Sequence, residues 1–139
     1  MKLATTTGDF TRYFPDTESR IRALYRAGFR HIDLSLYRDA DPASVFMKEG
    51  WEREVSRLAE IAGELGMDFV QSHAPGGNPL ERGPKRDLLL ASTVRSLEIC
   101  AMLGSRTPSC TSAGPTICSM RTRGPRKPIS RAIWNLSEN

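Results

Sequence analysis

The sequence predicts an α/β fold built around a parallel sheet. Through the first hundred residues or so, three amphipathic helix patterns alternate with short apolar strand patterns. Each helix pattern ends at a glycine, and these glycines, Gly28, Gly66 and Gly104, stand 38 residues apart. Helices that connect successive short apolar strands are typical of a parallel sheet with right-handed crossovers.

Three strands are predicted, each one before a helix. The opening stretch "KLATTTG" predicts the first strand. The second follows Gly28 in "FRHIDLSL", and the third follows Gly66 in "MDFVQSHAP". The predicted order is therefore strand–helix, repeated three times.

The helices are predicted from apolar residues at helical spacing. In "TESRIRALYRAGF", the apolar positions are Ile21, Leu24 and Tyr25, and Thr17 is the expected N-cap. The second helix, "GWEREVSRLAEIAGELG", has one stripe that predicts its buried face: Trp51, Val55, Leu58, Ala62 and Leu65. The third, "RDLLLASTVRSLEICAMLG", has a similar stripe: Leu90, Val94, Leu97 and Ala101.

Residues 105–139 break this repeat. A fourth strand should follow Gly104, but "SRTPSCTS" contains a proline and no alternation, so it does not predict a central strand. Residues 1–104 carry 14 basic and 15 acidic groups, whereas 105–139 carry six basic groups and one acidic group. The net charge of +4 therefore belongs to this tail. Basic tails can bind phosphate backbones, but a Lys-poor tail with Cys and Trp does not predict a nucleic-acid partner.

A shifted reading frame accounts for the tail. Reading each codon one base early, with suitable third bases, converts "SRTPSCTSAGPT" into "VPNTVLHLGGPD", a strand followed by a polar loop. The codon of Thr111 restricts the shifted residue to Tyr, His, Asn or Asp. A histidine there would fall seven residues after Gly104, as His73 falls seven after Gly66. We interpret residues 105–139 as an irregular, frameshifted tail; the alternative is a natural disordered tail.

Length and composition indicate one small globular domain. The chain has 139 residues, of which 39% are apolar and 26% charged. Neither a secretory signal nor an apolar stretch of membrane-spanning length stands out, so a cytoplasmic protein without a membrane partner is expected. Cys100, Cys110 and Cys118 form no CxxC pair, so neither a disulfide nor a zinc site is expected, and Cys100 is predicted to be a small core residue.

Four segments together resemble one enzyme family: "TTTGDFTRYFPD", "AGFRHIDLSLY", "ELGMDFVQSHAPGGNP" and "SLEICAMLG". Their combination resembles the sugar phosphate isomerase/epimerase family of xylose isomerase-like TIM barrels, over residues 1–104. The resemblance implies the N-terminal portion of a (β/α)8 TIM barrel, with about three β/α units followed by the irregular tail. A complete barrel takes about 250 residues.

The resemblance also implies a reaction. Intact relatives are expected to move a proton beside a carbonyl of a sugar, with a divalent metal polarising the oxygens and two glutamates as acid and base. The metal ligands come from later strands of the barrel. We therefore expect this chain to be a truncated, inactive member with no metal site or cofactor of its own, while its intact form takes a small sugar.

Substrate-binding candidates follow from the position of each strand end, because barrel enzymes place functional residues there. These candidates are Gly8 and Asp9 after the first strand, Asp33 in the second and His73 at the end of the third. His73 has the chemistry to bond a sugar hydroxyl or move a proton, or else to be a packed histidine. Asp33 either orients the substrate or bonds backbone, and His31 is expected to be structural. No residue is assigned as catalytic.

The loop "APGGNP" after the third strand contains glycines that would permit a ligand to approach the backbone closely. Their spacing does not match a phosphate-binding fingerprint. The loop therefore does not predict a phosphate site.

Two other functions stay open. A fragment of an apurinic-endonuclease-type, metal-dependent phosphodiesterase would need several histidines at strand ends, where the first three strands offer His73 alone. A non-catalytic α/β module with a genuine basic tail would bind nucleic acid in a salt-dependent manner.

Overall fold

Residues 3–78, 80–105 and the backbone of 107–109 are described in a computed structural model of the chain. They form a parallel sheet in the order β1-β2-β3-β4, with strands Ala4–Thr6, His31–Ser35, Asp68–His73 and Thr107–Ser109. The helices between them are α1 (Thr17–Arg26), α2 (Trp51–Glu64) and α3 (Pro84–Met102). Short 3-10 helices lie at Thr7–Phe10 and Val45–Met47. None of the three α-helices is long and apolar enough to cross a membrane.

The predicted alternation of strands and helices is confirmed over this region, as is the parallel pairing of the strands. Each helix ends just before the glycine that was expected to stop it. Gly28, Gly66 and Gly104 have positive φ angles of 93°, 63° and 64°. Side chains disfavour this left-handed conformation, so glycine terminates each helix with little strain.

The two faces of the sheet differ in chemistry. Ile32 and Leu34 of β2 are buried and pack in the core beneath the helices. Asp33 and Ser35 alternate with them and therefore lie on the opposite face. The sheet thus has an apolar face toward the helices and a polar face away from them.

Helix α2 contributes the largest share of the core. Its predicted stripe is confirmed: Trp51, Val55, Leu58 and Ala62 are buried, and Leu65 packs against them. These side chains pack with residues from α1, from the sheet and from α3, namely Ile21, Leu24, Ile32, Leu34, Phe69 and Ile99.

The predicted N-cap of α1 is wrong by one residue. Asp16, not Thr17, is the N-cap, and its Oδ1 accepts a hydrogen bond of 2.7 Å from the backbone N–H of Ser19. Aspartate caps a helix at least as well as threonine and places its negative charge at the positive end of the helix dipole.

Replacing Asp16 with alanine is expected to lower the free energy of unfolding by about 1 kcal/mol at neutral pH. The hydrogen bonds from Ser19 lower the pKa of Asp16, so the ionised carboxylate stabilises the folded chain. This contribution is complete above the pKa of Asp16 in the unfolded chain and is lost as the pH falls through the lower folded pKa. Urea unfolding across the acidic pH range measures it.

The matched control is Asp16→Asn, which retains a capping oxygen but removes the charge. We expect it to keep most of the stability at neutral pH and to lose the acid dependence due to Asp16. Equal stability of the alanine variant and the original chain would contradict the capping role.

The predicted buried face of α3 is wrong. Leu90, Val94, Leu97 and Ala101 are exposed, and the buried residues are instead Leu89, Ser92, Arg95, Ser96, Ile99 and Cys100. The polar residues on this buried face have partners. The hydroxyls of Ser92 and Ser96 donate to the carbonyls of Leu89 and Ser92, at 3.0 and 2.8 Å. A buried hydroxyl bonded to its own helix no longer requires water, so this face packs inward.

The sheet extends beyond residue 104, where the sequence predicted no central strand. Residues Thr107–Ser109 form β4, which pairs in parallel with Gln71–His73 of β3. In the described sheet β4 is the outer strand, where Pro108 is tolerated because one side of an edge strand needs no ladder hydrogen bond. The rest of the predicted tail, residues 110–139, lies outside the described residues.

Candidate functional site

A cleft of about 1040 Å³ lies at the carboxyl ends of the strands. Parallel α/β sheets place ligands at this end, where the loops after each strand converge. The cleft is lined by Thr6, Gly8, Asp9, Thr11, Arg12, Tyr13, Arg20, Ser35, Tyr37, Arg38, Asp39 and His73. Three of the four predicted site residues, Gly8, Asp9 and His73, therefore line one cavity.

The fourth, Asp33, lies beneath His73. Its Oδ2 is 2.9 Å from Nε2 of the imidazole, and the residue is only 9% exposed. Gln71 is the other neighbour of the ring, with its Nε2 3.2 Å from the same nitrogen. Since a carboxylate is the strongest acceptor available there, Nε2–H of His73 donates to Asp33.

A β-bulge brings Asp33 and His73 to the same face. Ile32 pairs with Phe69 but Asp33 pairs with Gln71, so Val70 is an extra residue in β3. Without it, every later residue of β3 would point the other way. With it, Ser72 faces the helices, where its Oγ is 2.6 Å from Cys100 Sγ, and His73 faces the polar side.

Burial dominates the electrostatics of Asp33. Desolvation raises the pKa of its carboxyl above the usual value, and the nearby charge of Asp9 raises it further, while His73 opposes both. Oδ1 is buried without a hydrogen-bond partner in the described part of the chain. Burial therefore favours the neutral form of this carboxyl more than exposure to water would.

The pair is arranged to orient a base. With Nε2–H donated to Asp33, the lone pair of His73 is on Nδ1, which has no hydrogen-bond partner among the described residues. Nδ1 can therefore accept a hydrogen bond or a proton from a ligand hydroxyl. In this arrangement Asp33 holds the ring in the tautomer that carries its proton on Nε2.

Gly8 and Asp9 form the neighbouring wall in the 3-10 helix after β1. A Cβ on Gly8 would lie 3.0 Å from Ser35 Oγ, so glycine lets the end of β1 pack closely on the end of β2. The backbone N–H of Gly8 donates to Thr6 Oγ1 at 3.1 Å. Gly8 therefore packs closely at this position, and Asp9 is the residue here that lines the cleft with an ionisable side chain.

His31 lies at the other end of β2, away from the cleft. Its Nδ1 contacts Asp68 Oδ1 at the start of β3. This contact joins two neighbouring strands at their amino ends, in agreement with the structural role expected for His31.

The glycines of "APGGNP" pack against side chains. A Cβ on Gly76 would lie 2.5 Å from Tyr37 Cε2, and one on Gly77 would lie 2.7 Å from Leu89 Cδ2. The sequence predicted that these glycines leave room for a ligand. The structure instead fills that room with Tyr37 and Leu89.

The residues directly after β2 form much of the cleft and were not predicted from the sequence. Tyr37, Arg38 and Asp39 all line it. Ser44 Oγ donates to Asp39 Oδ1 at 2.6 Å, and burial raises the pKa of Asp39. The available signal was their position: they directly follow a predicted strand, as Gly8 and Asp9 do.

The described residues do not contain a metal site. No group of three or more His, Cys, Asp or Glu side chains among residues 3–78 and 80–105 is arranged to hold an ion.

Comparison with known proteins does not assign the chain. No protein-family model matches the sequence, and no curated protein is significantly similar to it. The fold and the cleft define a parallel α/β protein with an open cleft at the carboxyl edge of its sheet.

Proposed function

We propose that the chain is the N-terminal part of a sugar isomerase/epimerase-type barrel and that its cleft binds a sugar hydroxyl through His73. The single observation that carries this proposal is the Asp33–His73 pair, in which Nε2 is held at 2.9 Å by a buried carboxylate at the edge of the cleft. The motif resemblance over residues 1–104 supports it.

The residues present would bind and orient the ligand. His73 Nδ1 accepts the hydroxyl proton in a hydrogen bond, and Asp33 holds the ring in the tautomer that this requires. The carboxylate of Asp9 accepts a hydrogen bond from a second hydroxyl at the neighbouring wall. In the intact family, a divalent metal polarises the sugar oxygens. The resemblance places the ligands of that metal on later strands, so we propose that this chain binds a sugar but does not convert it.

The test uses the two histidines of the chain, His31 and His73. D-xylose is titrated into the protein while the histidine ring protons are followed by NMR, with signals assigned from a His31→Gln variant. We expect only the His73 signals to shift, saturably, and no new sugar isomer to form. His31, at the other end of the sheet, is the internal control. Absence of a shift, or equal shifts at both rings, would contradict sugar binding in the cleft.

The proposed frameshift is tested at the gene. Sequencing across the codons for Leu103 to Ser112 from the original DNA is expected to reveal a lost or gained base, with the corrected frame continuing through "VPNTVLHLGG". If the written sequence stands, the tail is genuine. The proposal of a barrel fragment then fails, and the non-catalytic module is favoured.

A further inference from the structure

Tyr37 is an aromatic side chain that lines the cleft yet stays 57% exposed. An exposed tyrosine usually moves among rotamers, but this one is supported. The hydroxyl end of its ring lies against Gly76, where an added Cβ would be 2.5 Å from Cε2, 2.7 Å from Cζ and 2.9 Å from Oη. The loop after β3 therefore packs against the ring and restricts its movement.

The backbone of this region is fixed relative to His73. The N–H of Leu36, the residue before Tyr37, donates to the carbonyl of His73 at 2.8 Å, and Leu36 is fully buried. Tyr37 directly follows one member of this hydrogen-bonded pair, and the imidazole belongs to the other member. The hydrogen bond therefore holds the backbone beside Tyr37 close to the backbone of His73.

We propose that Tyr37, held by Gly76, is a stacking platform that selects the cyclic form of a sugar over an open-chain polyol. The proposal rests on the proposed function and deepens it. When a ligand covers the exposed apolar surface of a supported ring, the burial of that surface favours binding. The neighbouring groups, Asp9, Ser35 and His73, are hydrogen-bonding groups. A sugar ring satisfies both demands, because it has a C–H face and hydroxyls at its rim, whereas an acyclic polyol has no rigid face to stack.

The experiment compares D-xylose with xylitol on the full chain, using the His73 ring-proton shifts as the readout. The original chain is expected to bind D-xylose about fivefold more tightly than xylitol, the size of a single aromatic contact. Tyr37→Ala is expected to remove this preference by weakening D-xylose binding alone. Tyr37→Phe keeps the ring and is expected to keep the preference.

Gly76→Ala is the sharpest variant, because it leaves Tyr37 in the chain and displaces only its ring. The φ angle of Gly76 is not positive, so alanine adds a Cβ without backbone strain. We expect it to reduce the preference as Tyr37→Ala does. Gly63→Ala is the matched control, since a Cβ there meets nothing within 4 Å, and it should leave binding unchanged.

The outcomes separate this inference from the proposed function. If Tyr37→Ala or Gly76→Ala retains the full preference while D-xylose still shifts His73, the stacking role is overturned and sugar binding stands. If neither D-xylose nor xylitol shifts His73 in the original chain, the proposed function is overturned, and the stacking role fails with it.

Discussion

Replacing Arg95 with alanine is expected to destabilise the chain by about 3 kcal/mol. Arg95 is 8% exposed, and its guanidinium lies 4.1 Å from the centroid of the Trp51 ring. Its Nη1 donates to the carbonyl of Phe46 at 2.8 Å, and its Nε donates to Glu98 at 2.9 Å. The side chain thereby joins α3 to α2 and to the loop after β2, so its removal loses all three contacts. Urea unfolding followed by far-UV circular dichroism measures the effect.

Two controls define the contribution of the planar guanidinium. Arg95→Lys keeps the charge but cannot stack and form both hydrogen bonds together, so it should recover only part of the loss. Arg53→Ala removes an exposed arginine from α2 and should change stability by less than about 0.5 kcal/mol. Similar losses for Arg95→Ala and Arg53→Ala would show that Arg95 does not join these elements.

Ile99→Ala is expected to cost about 3 kcal/mol, whereas Leu97→Ala on the same helix should cost less than about 1 kcal/mol. Ile99 is 1% exposed and belongs to the core, whereas Leu97 is 41% exposed. The two residues are two positions apart on α3, and both substitutions remove a similar side-chain volume. The same urea titration compares them directly.

This pair also tests which face of α3 is buried. The apolar stripe in the sequence predicts that Leu97 is the core residue, and the structure places Ile99 there. A larger loss for Leu97→Ala would therefore support the sequence stripe and contradict the packing of α3. Comparable losses would indicate that both faces are covered in solution.

The sequence by itself determined the repeat. The 38-residue spacing of Gly28, Gly66 and Gly104 located the helix ends, and the stripe from Trp51 to Ala62 identified the buried face of α2. These features are local, because helix period and glycine stops depend on residues within a few turns. They were enough to predict the parallel strand–helix order and to place His73 at a strand end.

The prediction of the buried face of α3 was wrong because a local pattern does not specify the partners of buried polar groups. Two stripes on α3 have helical spacing: Leu90, Val94 and Leu97 form one, and Leu89, Ser92 and Ser96 form the other. Periodicity alone cannot show which of the two stripes is buried. Hydrophobicity favours burial of the leucine and valine stripe. The stripe with the serines is buried instead, because the hydroxyls and Arg95 have hydrogen-bond partners there, and an apolar pattern does not predict those partners.

Only the tertiary structure decided how the site is assembled. Asp68 and His73 are five residues apart in β3, an odd spacing that a regular strand would place on opposite faces. The bulge at Val70 puts both on the polar face, so His31 meets Asp68 at one end and Asp33 meets His73 at the other. The support of Tyr37 by Gly76 likewise joins loops that are far apart in the chain. Strand register and contacts between loops depend on pairing between distant segments, which a local sequence pattern does not specify.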